Sequence, residues 1–80
     1  MPRARGEFSV CVFYPNDSHR YVMRYVSAES AMNCAHIWIT GGAARRGEIE
    51  RVIVTDGGDH TNFEWKYGQG ITYPERNDAA

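Results

Sequence analysis

A single stretch of this chain repeats its apolar residues at helical spacing, and it stands between two pairs of segments that alternate like strands. Ala28, Ala31, Ala35, Trp38 and Ile39 recur three and four residues apart, with Met32 beside them. That spacing predicts one amphipathic helix. Ser27 is placed to cap its first turn with a hydroxyl acceptor, and Glu29 sits where the helix dipole favours an anion. Gly41 and Gly42 are expected to end the helix through glycine's tolerance of positive φ. Ala43 to Glu48 has room for one more helical turn, which Gly47 would stop.

On either side the period changes to two. Phe8, Val10, Val12 and Tyr14 fall on one face of a first strand, with Ser9, Cys11 and Phe13 on the other. The cluster Pro15, Asn16, Asp17, Ser18 is turn chemistry, and residues 20–26 resume a strand in which Tyr21, Met23 and Tyr25 alternate with Val22, Arg24 and Val26. Beyond the helix a third strand runs around Val52, Ile53 and Val54. A fourth sets Phe63, Trp65 and Tyr67 against Glu64 and Lys66. Ile71 to Tyr73 extends the fourth strand or starts a short fifth. The order is ββαββ, which predicts an α+β fold: a single helix packed on one face of a four-stranded, mostly antiparallel sheet.

The chain has no leucine, drawing its apolar content from Val, Ile, Ala and aromatic residues. A helical bundle would use Leu heavily, whereas branched and aromatic side chains favour strands. Eighty residues make one domain, expected over 7–74 between a loose leader at 1–6 and a polar tail at 75–80. The N-terminus is basic but lacks a signal sequence's apolar stretch, and no apolar run approaches the roughly 20 residues that span a bilayer. The only cysteines are Cys11 and Cys34, without zinc-finger or CxxC spacing. Two free thiols in a reducing, cytoplasmic setting away from membranes are the expectation.

A functional expectation follows from counting layers. One helix covers one side of the sheet, yet the opening hairpin carries large apolar residues on both faces. Monomers seldom expose contiguous apolar patches larger than a few hundred Å², and a core this small supplies only about 3–5 kcal/mol of net stability. The chain is therefore read as a non-enzymatic interaction domain without a cofactor. It pairs as a homodimer, or with another protein, through an aromatic-rich sheet face drawn from Phe13, Tyr21, Tyr25, Phe63, Trp65 and Tyr67.

Two other readings use different residues. Stacking of unpaired bases on those aromatics, with Arg20, Arg24, Arg45, Arg46 and Arg51 meeting phosphates, would make a single-stranded nucleic-acid binder. The net charge of −1 opposes it, because phosphate binders usually carry a clear basic excess. The loop from Thr55 to Asn62 concentrates polar donors, and Asp56, Asp59 and His60 are candidate ligands for a metal-dependent enzyme. Turn chemistry explains the same residues, since the spacing matches no metal motif. Cys34 and His36 are two apart on a helix and point away from each other. His19 and His60 would approach, with Asp17 and Asp59 nearby, only if both hairpin tips shared an edge.

Overall fold

The computed structural model describes residues 6–57 and 60–73. The expected tail, and the leader apart from Gly6, lie outside that range. Five strands form one antiparallel sheet: β1 (Phe8–Phe13), β2 (His19–Val26), β3 (Arg51–Thr55), β4 (Thr61–Lys66) and β5 (Gly70–Tyr73), in the order β2-β1-β3-β4-β5. One main helix, α1 (Ala28–Thr40), is followed by a single turn, α2 (Gly42–Arg45). The class is α+β with an antiparallel sheet, but there are five strands rather than four. The chain reverses at Tyr67–Gln69, where Gln69 N donates to Lys66 O at 3.0 Å, so 70–73 returns alongside β4 instead of prolonging it.

The first hairpin turns as its residues dictate. Asn16 Oδ1 accepts from Ser18 N at 3.1 Å and from Ser18 Oγ at 2.6 Å, while Asp17 takes φ 72. Short Asx side chains tolerate that left-handed region better than most. The β1 alternation is realised: Val10 and Val12 are buried, with Phe8 and Tyr14 packed against the same core. The period in β2 is not. Two register shifts against β1 insert extra residues into β2, so Val22, Met23 and Val26 all reach the core while Arg24 lies over the opposite face. The shift beside Val26 places Tyr25 at φ 58, an unfavourable conformation for a bulky residue.

Ser27 caps α1 as expected, its Oγ accepting from Ser30 N at 3.1 Å. The glycines end the helix differently. Gly41 is extended at φ −79, ψ 173 rather than left-handed, and a Cβ there would come within 3.3 Å of Ile37 O. Thr40 Oγ1 donates to His36 O at 2.8 Å, satisfying a carbonyl near the helix end. Gly47 does take positive φ, at 81, and closes α2 against the Tyr67 ring.

The core joins Val10, Val12, Val52, Val54 and Phe63 of the sheet to Ala31 and Ala35 of α1, together with Ala44 and Ile49. No polar or charged residue is buried among those described. Alanines at the contact let α1 approach closely, which suits dispersion contacts that decay steeply with distance. Ile49 and Ala44 thus close the helix side of the sheet; the 43–49 connection does not cover the second face.

Candidate functional site

The sheet is wider than its helix. Strand axes lie about 4.8 Å apart, so five strands span roughly 19 Å between their outer axes, against about 10–12 Å for a helix with side chains. α1 packs over β1, β2 and β3. On the same side, β4 and β5 continue beyond it. The result is a trough of about 410 Å³ between α1 and the outer strands, lined by Met32, Asn33, His36, Ile39, Phe63 and Ile71. Phe63 forms its floor at 5 % exposure, while Met32 and Ile71 keep 40 % and 36 % of their surface in solvent. No lining residue is an acid, lysine or arginine.

The opposite face has a different character. Cross-strand pairs place Phe13, His19 and Arg51 in one row, then Cys11, Tyr21 and Ile53, with Glu64 and Lys66 beyond them on β4. Two arginines lie on the aromatic rings: Arg51 is 4.4 Å from the Phe13 centroid and Arg24 is 4.3 Å from that of Tyr21. Such cation–π contacts cover ring surface while keeping the charge wet. Arg51 also pairs with Glu64, Nη1 to Oε2 at 3.0 Å, and Thr72 Oγ1 donates to Glu64 Oε1 at 2.9 Å. Cys11 is only 2 % exposed beneath this layer. Burial pushes its thiol above the ordinary range, against smaller opposing effects from an Arg20 backbone hydrogen bond and the Arg51 and Arg24 charges.

The six aromatic residues expected on one partner face are divided. Phe13 and Tyr21 occupy the open face, and Tyr25 projects from the edge strand at 57 % exposure. Phe63 and Trp65 pair with Val54 and Val52 on the helix side and belong to the core. Tyr67 lies past the end of β4, in the turn against Gly47. The surplus apolar surface has therefore moved. On the open face of the first hairpin Arg24 and the β3 residue Arg51 lie over the rings, whereas among the described residues Ile71 of β5 stays part-exposed beside α1.

The five arginines do not converge either. Arg24 and Arg51 share the open face, but Arg20 lies on the helix side with its guanidinium 5.9 Å from the Trp38 ring centroid. Arg45 ends α2, and Arg46 is held by Glu48, Nε to Oε2 at 2.7 Å. That exposed pair lowers the Glu48 carboxyl and raises Arg46, chiefly through their hydrogen bond.

In the β3–β4 turn, Asp56 N donates to His60 O at 3.0 Å and His60 N donates to Asp56 Oδ1 at 3.1 Å, so the Asp56 side chain holds the turn. Asp59 is outside the described residues. Among those described, no three His, Cys, Asp or Glu side chains stand close enough to hold a metal ion. The antiparallel pairing of β1 with β3 sends the two hairpin tips to opposite ends of the sheet, one beyond Phe13 and the other beyond Ser9. His19 and His60 are consequently apart, and the acid–base pair expected from a shared edge does not form. Cys11 lies on the open face while Cys34 packs against the helix-side core, so the sheet separates the two thiols.

Met32, His36, Ile39 and Ile71 are the trough residues that the aromatic count passed over. Ile39 belonged to the helical stripe and Met32 lay beside it, but only the strand order shows that both border Phe63 of β4 and Ile71 of β5. Among the described residues, no helix is long and apolar enough to cross a membrane. Set against known proteins, the chain matches no family model, and no curated protein or solved structure is significantly similar to it.

Proposed function

We propose that this chain is a non-enzymatic interaction domain that takes an apolar, helix-sized protein surface into the trough beside α1. The observation that carries this reading is the trough itself: β4 and β5 continue past α1 on its own side, and Met32 and Ile71 keep 40 % and 36 % of their surface in solvent there. Apolar walls, a Phe63 floor and Asn33 and His36 as the polar side chains of its lining suit a partner with an apolar stripe. Two separated thiols are compatible with the reducing, cytoplasmic setting in which such a domain would work.

An environment-sensitive apolar dye tests the reading on the full chain under dilute conditions. Its fluorescence should rise on binding, and Ile71→Glu should remove most of that rise. A rise that survives the substitution would place the sticky surface elsewhere and overturn the proposal.

A second reading draws on the row Phe13, His19, Tyr21, with centroids 5.5 Å and 6.3 Å apart and arginines on its outer rings. Such a row offers stacking surfaces for unpaired bases. Binding of a labelled oligonucleotide that weakens with salt and with Tyr21→Ala would favour it; no binding at low salt would remove it.

A further inference from the structure

Away from the trough, the sheet has a notch at one end. The order β2-β1-β3-β4-β5 sets the start of β3 between two chain reversals, the turn at 14–18 and the turn at 67–69. Both project past Arg51, which pairs with Phe13 on one side and Lys66 on the other. Glu50 closes the gap between them: its N–H donates to Phe13 O at 2.8 Å, and its carbonyl accepts from Tyr67 N at 2.9 Å. Two walls tied by backbone bonds to a common floor frame a cavity of about 490 Å³, within the range of small-ligand sites.

The lining joins charges of both signs to aromatic surface. Asp17 and Glu50 supply carboxylates, Arg51 and Lys66 supply cations, and Phe13 and Tyr67 supply rings. Arg51 and Lys66 stand directly opposite each other across β3 and β4, a like-charge pairing that weakens a sheet. Glu64 offsets only the Arg51 side, through Nη1 at 3.0 Å. Among the described residues, Asp17, Glu50 and Lys66 form no ion pair.

Such a set selects its ligand by elimination. A purely anionic ligand meets Asp17 and Glu50, and a purely cationic one meets Arg51 and Lys66; like charges brought together oppose binding. An uncharged ligand leaves groups of both signs to lose water without a partner. A zwitterion answers both. Residues 50 and 51 are consecutive, and 66 lies opposite 51 at about 4.5–5.5 Å between Cα atoms, so both signs are offered within a short span. An α-amino acid carries its ammonium and carboxylate on one carbon.

We infer that the notch binds a free α-amino acid with an apolar side chain, its ammonium toward Glu50 and Asp17, its carboxylate toward Lys66 and Arg51, and its side chain against the rings. This is independent of the trough and of what docks there.

Amide chemical-shift titration of the full chain at neutral pH tests it, with L-phenylalanine as the probe. Saturable shifts should appear at 13–18, 50–51 and 66–69. Three analogues should bind more weakly: phenethylamine, which lacks the carboxylate; 3-phenylpropionate, which lacks the ammonium; and N-acetylphenylalanine amide, which stands in for a residue inside a protein chain. Lys66→Gln should weaken L-phenylalanine about 5- to 10-fold, between the worth of an exposed ion pair and that of a charge-assisted hydrogen bond, and remove its advantage over phenethylamine. Glu50→Gln should remove its advantage over 3-phenylpropionate. No saturable shift at millimolar probe overturns the inference, as do shifts confined to other residues. So does any analogue that binds the parent chain as tightly as L-phenylalanine, or affinity unchanged in both variants.

Discussion

Replacing Ile71 by Glu tests the trough and the fold together, because the residue is partly buried in the chain and a docked partner would cover the rest. Fully burying an isoleucine is worth about 1.5–3 kcal/mol. Ile71 keeps 36 % of its surface in solvent, so covering it with an apolar partner contributes about 0.5–1 kcal/mol. That is roughly a 2- to 5-fold change in dissociation constant. Ile71→Ala should weaken binding of the apolar dye within that range. Ile71→Glu adds a carboxylate without a partner, and an uncompensated buried charge costs about 3–5 kcal/mol. The dissociation constant should therefore rise at least about a hundredfold. The part of Ile71 already buried in the fold is worth about 1–2 kcal/mol, so the melting temperature should also fall, by about 4–16 °C at about 4–8 °C per kcal/mol. Dye titration of the folded variants gives the dissociation constants and circular dichroism the melts. A Glu variant that binds the dye as tightly as its parent would refute the placement of the docking surface.

Other positions test the fold. Val52→Ala removes about two methylene equivalents from a fully buried site and should cost about 2–3 kcal/mol, much of the margin of so small a domain; urea unfolding would show it. Tyr25→Asn should stabilise by about 0.5–1 kcal/mol, since Tyr25 sits at φ 58 with most of its surface exposed and Asn accepts that backbone readily; an unchanged or lower urea midpoint would contradict it. Gly47→Ala should lower the melting temperature, because φ 81 strains any Cβ and the new methyl would stand 3.2 Å from the Tyr67 ring. Burial raises both thiols above their ordinary range, so the folded state holds those protons more tightly than the unfolded state does. Their contribution is complete below the unfolded thiol pKa and is lost as pH climbs through the raised values. Urea midpoints should accordingly fall on the alkaline side and fall less in Cys11→Ala; a flat profile would contradict the shift.

Much of the local structure was legible in the residues. The β1 alternation, the Ser27 cap, the turn at Pro15–Ser18 and the helical stripe each follow from a local rule, and the structure shows them. What escaped depends on relations between distant segments. No period in β2 announces the extra residues that send both Val22 and Met23 inward. Phe63 and Trp65 were grouped on one face correctly, but only the pairing of β4 with β3 shows that this face lies beneath the helix. Ile49 was hidden as the lone branched apolar residue in the charged run from Arg45 to Arg51, and its burial depends on α2 returning over the core. The candidate site was misplaced for the same reason: a tally of apolar side chains sees neither arginines folding over Phe13 and Tyr21 nor the lateral offset of α1.

The irregular pairing of β2 bears on how copies of this chain can meet. β2 is the longer outer strand of the described sheet, eight residues against four in β5, and a flat ribbon of that length would invite edge-on addition of further chains. Its two inserted residues and the kink at Tyr25 spoil the even spacing of amide and carbonyl groups that a growing fibril must match. Sideways polymerisation is thereby discouraged at this border.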